Sequence, residues 1–162
     1  MHLNSERLMK EFVEKYLCNH PLKIIDIGSA NINGTYRNTF NRFAWTYVGA
    51  DTSAGNNVDI IIDSSYEWKC IESEYYDVVI SGQTLEHVKR PWECVKAMER
   101  ILTRGGIIMI IVPWTWEVHK YPIDCWRILP DGLESLMCEW CNFIKIDCGI
   151  SERDTYFIGR KR

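Results

Sequence analysis

The apolar positions of this chain fall into segments of two kinds. Residues 3–17 carry Leu8, Met9, Phe12, Val13 and Leu17 at helical spacing, one stripe of an amphipathic leading helix. Residues 23–27, 46–50, 58–62, 76–81 and 107–112 are instead continuous runs rich in Val, Ile and Tyr, bounded by Gly, Asp, Ser, Asn or Pro. Strands without alternation are buried on both faces, which predicts a parallel sheet. Between them, residues 36–43 read as a short helix. Pro91 opens a longer one through Trp92, Val95, Met98 and Leu102 that should stop at Gly105-Gly106. Residues 131–140 read as a further helix, and residues 143–147 and 155–159 as two closing strands. Alternating strand and helix predicts a doubly wound α/β domain.

At 162 residues with 46% hydrophobic composition, the chain suits one domain, residues 1–162, with its own core. Nineteen basic against 22 acidic residues give a formal charge of −3, which argues against a broad nucleic-acid or anionic-membrane footprint. Residues 1–15 mix charges with apolar positions and lack a signal-like run, so a cytoplasmic protein is expected. Seven cysteines, an odd number, suit reduced and mostly buried thiols better than a disulfide framework. Cys138 and Cys141 form a CxxC without a second ligand pair, and no metal site is expected.

In open parallel sheets the ligand crevice lies beyond the carboxyl ends of the strands, so the residues that end each apolar run carry the chemistry. After the first run come Gly28, which permits a tight turn, and Ser29 and small Ala30, which allow close approach to the backbone. Asp51, followed by Thr52, ends the second run where a carboxylate can accept from ribose hydroxyls. That position also fits a nicotinamide dinucleotide, but the turn lacks the three glycines spaced GxGxxG that a pyrophosphate needs. Asp63 ends the third run and can accept from an adenine amino group, with Ser64 and Ser65 as donors to ring nitrogens; a capping role for Asp63 fits the spacing equally.

Five blocks then stand in order: Asp26-Ile27-Gly28-Ser29-Ala30, Gly49-Ala50-Asp51, Tyr76-Asp77-Val78-Val79-Ile80-Ser81, Leu85-Glu86-His87-Val88, and Arg100-Ile101-Leu102 through Gly105-Gly106. Together they resemble class I S-adenosylmethionine-dependent methyltransferases of the type 11-like group over residues 23–112. The resemblance implies a Rossmann-like methyltransferase fold: a mostly parallel seven-stranded sheet with an antiparallel strand near the C-terminus. It implies S-adenosylmethionine as cofactor and S-adenosylhomocysteine as product. Asp26 and the Gly28 turn would hold the amino-acid end, Asp51 the ribose and Asp63 the adenine, with Ser81, Gly82 and Gln83 near the sulfonium. Where the family has a second turn glycine, this chain has Ala30.

The segment after the fifth strand, residues 119–133, should fold over the cofactor's methyl group. Together with residues 33–37 it is similar to a subgroup linked to glycan and small-molecule modification. His119 is the leading candidate for a general base, against a plain loop-capping role. His87, oriented by Glu86, is the other, although in the family this pair shapes the cofactor wall. Tyr121, Asp124, Trp126 and Arg127 are candidate acceptor contacts; Asp124 and Arg127, three apart, read as an ion pair that fixes the loop. Trp114, Trp116, Tyr121 and Trp126 could stack on a planar or sugar acceptor. The expected activity is methyl transfer to an oxygen or nitrogen of a small molecule or glycan; the alternative is a cofactor-binding protein without catalysis. A homodimer could complete the pocket, and neither a nucleic-acid nor a membrane partner is expected.

Overall fold

The computed structural model describes residues 3–162. Its elements run α1 (Leu3–Tyr16), β1 (Leu22–Ile27), β2 (Trp45–Asp51), β3 (Ile60–Ile61), β4 (Tyr76–Gly82), α2 (Pro91–Ile101), β5 (Leu102–Pro113), α3 (Pro130–Ser135), β6 (Phe143–Ser151) and β7 (Asp154–Lys161). The strands form one sheet in the order β3-β2-β1-β4-β5-β7-β6. The first five are parallel, and β7 lies antiparallel to both β5 and β6. The order reverses between β1 and β4, the switch point at which open α/β sheets leave a crevice.

Continuous apolar runs form these strands because neighbouring side chains enter different cores. Ile24, Val78, Ile80, Ile107, Met109 and Ile111 face α1, where Leu8, Met9, Phe12 and Val13 supply the predicted stripe. Ile25, Val79, Ile108 and Ile110 face the other way, onto Val95, Met98 and Ile101 of α2 and Leu133 of α3. No described helix is long and apolar enough to cross a membrane.

Several expectations need correction. Residues 36–43 form no helix; their backbone bonds are turn-type, Thr39 to Tyr36 at 2.8 Å and Phe40 to Arg37 at 3.2 Å. Tyr36 and Phe40 are buried in the α1-side core. Burying each is worth about 1.5–3 kcal/mol, against helix-propensity differences below about 0.7 kcal/mol per residue. Tertiary packing therefore sets the backbone there. The α2 helix ends at Ile101, before the glycines, because Leu102 takes an extended conformation and pairs with Tyr76. The third strand contracts to two residues, and the helix read over residues 131–140 begins at Pro130 and widens into a π-helical turn at Leu136–Trp140. Both closing strands run longer than their apolar cores. All seven cysteines are free, as expected, but only Cys94 and Cys141 are buried; Cys18, Cys70 and Cys125 are exposed because they fall in connecting segments.

Candidate active site

A cleft of about 680 Å3 opens at the switch point over the carboxyl ends of β1, β2 and β4, within the size range of small-molecule sites. It is lined by the first turn (Asp26, Gly28, Ser29, Ala30), by Asp51 and Thr52 after β2, and by Gly82 and Gln83 after β4. Its far wall comes from His87, His119 and Tyr121.

The first turn is held from below. The amides of Gly28 and Ser29 donate to the Ala50 carbonyl at 2.9 and 3.2 Å, and Ala30 N donates to Asp51 Oδ2 at 3.1 Å. Asn57 Nδ2 donates to the Ser29 carbonyl at 2.8 Å, and Arg37 Nε donates to Asn57 Oδ1 at 2.6 Å. Gly28 has φ +81°, and a Cβ there would lie 2.1 Å from Thr84 Oγ1. Both the conformation and the space demand glycine. Ala30, in place of the family's second glycine, fits with its amide on Asp51.

Asp26 is 2% exposed and accepts from Tyr47 Oη at 2.5 Å. Burial pushes its carboxyl up to about 7, partly offset by the Tyr47 hydroxyl and reinforced by the Asp51 charge. A buried acid at this threshold gains by meeting a cation. Gln83, at φ +59°, sits in the left-handed region, a cost of about 1 kcal/mol for a side-chain-bearing residue. It is held there by its amide on the Ile111 carbonyl and by Nε2 donating to Asp154 Oδ1 at 2.8 Å. Asn4 of α1 donates to the other Asp154 oxygen at 2.8 Å, so the leading helix is tied to the rim of the cleft.

Not every expected residue lines the cleft. Asp63 is exposed and Ser64 caps the next turn, its Oγ accepting from the amides of Tyr66 and Glu67 at 3.2 and 3.0 Å; neither lines the cavity, whereas the adjacent Ile62, Ser65 and Trp68 do. Ser81 is buried and donates to the Ile27 carbonyl at 2.8 Å, bracketing β4 to β1. Asp124, Trp126 and Arg127 also stand outside the lining. Arg127 donates to both Asp124 oxygens, at 2.6 and 2.8 Å, and Asp124 also accepts from His119 N at 2.8 Å. The Arg127 guanidinium holds the Asp124 carboxyl well below the usual carboxylate range. Trp126 Nε1 donates to the Val88 carbonyl at 2.9 Å.

These contacts stitch residues 119–127 onto the short turn Leu85–His87. Cys125 N donates to the Glu86 carbonyl at 2.7 Å, and His87 Nδ1 lies 2.6 Å from the Ile123 carbonyl, which fixes Nδ1 as the protonated nitrogen. Burial lowers the His87 pKa, so the ring is neutral near pH 7. His87 and His119 meet edge to face with ring centroids 4.9 Å apart, and Tyr121 completes the group at 6.3 Å from His87. Trp68, Ile62 and Thr84 were missed by sequence reasoning. Ile62 borders the strand-end acid and carried a weak signal; Trp68 and Thr84 carried none.

A family model described as a methyltransferase domain matches residues 1–145. No curated protein sequence matches the chain. Among solved structures, the cyclase SpnF superposes with a TM-score of 0.76 at 13% identity, over 96% of this chain and 80% of that one. The Burkholderia thailandensis 1,6-didemethyltoxoflavin-N1-methyltransferase, solved with bound 1,6-didemethyltoxoflavin and S-adenosylhomocysteine, gives a TM-score of 0.76 at 12% identity over 97% of this chain and 78% of that one. The methyltransferase CalH, solved with S-adenosylhomocysteine, gives 0.70 at 20% identity; there the chain covers 98% of itself but only 56% of CalH. With a switch-point cleft built from these strand-end residues and a family match over most of its length, this chain belongs to the methyltransferase-domain family and has the class I methyltransferase fold.

Proposed function

We propose that the protein transfers a methyl group from S-adenosylmethionine to an oxygen or nitrogen of a small molecule or glycan. The observation that carries this reading is the convergence of Asp26, the Gly28 turn and Asp51 on one cleft that continues to His87, His119 and Tyr121. The donor set fits the cofactor: a buried acid for its ammonium, a glycine turn that no Cβ could occupy, and a strand-end carboxylate for ribose hydroxyls. Asp26, Gly28, Ser29 and Ala30 take the amino-acid end, and Asp51 with Thr52 takes the ribose. The adenine lies toward Ile62, Ser65 and Trp68, and Asp63 and Ser64 take no part in holding it. Gly82 and Gln83 form the wall beside the reacting centre, and Ser81 secures that wall from behind. When bound, the cofactor supplies an electrophilic methyl group on positively charged sulfur.

The acceptor enters beside His87 and His119, the catalytic pair, with Tyr121 as a stacking surface. Asn33, Thr35 and Lys120 add polar groups to the same cleft, a lining suited to a hydroxylated acceptor. Asp124, Arg127 and Trp126 act by holding residues 119–123 in place. Orientation in such a site can supply a large part of the rate. The test is calorimetric titration with S-adenosylhomocysteine, followed by transfer of labelled methyl to a panel of glycans and hydroxylated small molecules. Binding that Asp51→Ala removes, together with transfer that His119→Ala slows by about 100-fold, is the expected result. Binding without transfer to any acceptor would favour the non-catalytic alternative, and no binding at all would overturn both.

A further inference from the structure

Behind the acceptor wall, Glu86 is fully buried, yet neither of its carboxylate oxygens has a hydrogen-bond partner among the described side chains or other residues' backbones. Burying such a group without a partner is costly, so an unpaired buried carboxyl points to a ligand that would satisfy it. Its oxygen Oε1 lies 3.7 Å from His87 Nε2, too far for a hydrogen bond. One donor atom from each of Glu86, His87 and His119 falls within a common 4.8 Å. Sequence separation hides the group: the first two come from the turn after β4 and the third from the segment after β5.

The rings are prepared for the same task. His87 commits Nδ1 to the Ile123 carbonyl, and His119 turns Nδ1 to the Glu117 carbonyl at 3.1 Å, with Asp124 Oδ2 3.5 Å away. Each ring thus has a backbone or carboxylate partner at Nδ1 and keeps its second nitrogen as the ligand atom, the arrangement by which metal-binding histidines are oriented. Two imidazoles and a carboxylate are a set for a divalent first-row transition ion rather than for calcium or magnesium, which take oxygen ligands. Bonds near 2.1 Å in tetrahedral geometry set ligands about 3.4 Å apart, so small side-chain rotations suffice.

We propose that Glu86, His87 and His119 form a binding site for a divalent first-row transition metal ion whose open coordination positions face the acceptor. His87 and His119 both line the cleft, which places those positions where the acceptor enters. This deepens the methyl-transfer reading and rests on it for the role of the ion. The acceptor's hydroxyl oxygen joins the ion as a further ligand, which acidifies its O–H bond. The proton leaves to water at the cleft mouth. The oxygen's electron pair forms the new O–C bond while the C–S bond breaks and its pair returns to sulfur. The favoured acceptor is therefore a hydroxyl, and His87 and His119 act as ligands rather than free bases.

The test is titration of chelator-treated protein with cobalt(II), read by its visible ligand-field bands. Expected is one cobalt per chain without the sulfur charge-transfer bands that the free cysteines would produce. Glu86→Gln and His119→Ala should each weaken binding by at least about 100-fold, and Asp124→Asn, which touches His119 only from outside, by about 10-fold. His119 lies on a surface segment, so that variant reports on the site even if the buried Glu86→Gln change impairs folding. No stoichiometric cobalt binding, cobalt held through thiolates, or binding unchanged in His119→Ala would overturn the proposal. A parallel titration with S-adenosylhomocysteine separates the two readings: cofactor binding without cobalt binding sinks the metal site alone, and cobalt binding without cofactor binding sinks the methyl-transfer reading alone.

Discussion

At the residue scale, Asp26 joins stability to ligand binding through one proton. Its folded pKa of about 7 lies above the ordinary carboxylate value, so the folded chain favours the neutral acid. The group's contribution is then fully present below about pH 4 and is lost as pH rises through about 7, on the order of 4 kcal/mol across that window. Asp26→Asn keeps the side chain neutral at every pH and should raise the melting temperature of the ligand-free protein at pH 8. Differential scanning fluorimetry from pH 5 to 9 checks this; a variant that melts lower than the parent at pH 8 would refute it. Bound ammonium reverses the preference, so affinity for S-adenosylhomocysteine should fall as pH drops below about 7, and Asp26→Asn should bind weakly at all pH values. Calorimetry at several pH values reads this second arm.

At the scale of elements, the segment over residues 119–127 has no regular structure and is held by side chains. Asp124 carries most of that load, since it accepts twice from Arg127 and once from the His119 amide while its side chain is 2% exposed. Asp124→Ala leaves the Arg127 guanidinium without its carboxylate, and removing one partner of a shielded pair costs about 1–3 kcal/mol. For a chain of this length that is a fall of about 2–12 °C in melting temperature. The same change should raise KM for the acceptor while the affinity for S-adenosylhomocysteine stays within about twofold, because the cofactor half of the cleft is built on β1 and β2. Equal losses in both ligands would show that the segment braces the whole cleft rather than its acceptor side.

At the scale of the molecule, the cleft is framed by elements distant in sequence: α1 through Asn4 on Asp154, β4 through Gln83, and β7 through Asp154 itself. Saturation with S-adenosylhomocysteine at 100 times its Kd should add about 2.7 kcal/mol to stability, a rise of about 5–11 °C. Asn4→Ala should lower the starting temperature yet keep most of that increment, because Asn4 supports the rim without lining the cleft. A thermal melt with and without ligand measures both.

What the sequence determined by itself is the sheet and the first half of the site. Runs such as residues 107–112 leave no polar face, so burial on both sides follows from composition alone. Strand-end residues are equally legible, because Asp26, Gly28 and Asp51 must stand at the carboxyl edge of any parallel sheet those runs form. Three-dimensional packing decided the rest. Residues 36–43 were pulled from helix into turns by the burial of Tyr36 and Phe40, a long-range gain larger than any local propensity. Asp63 stopped short of the cleft while Trp68 reached it, since loop paths answer to neighbours rather than to spacing. The Glu86, His87 and His119 cluster exists only because the segment after β5 folds back onto the turn after β4, a meeting of residues more than thirty positions apart that no local pattern records.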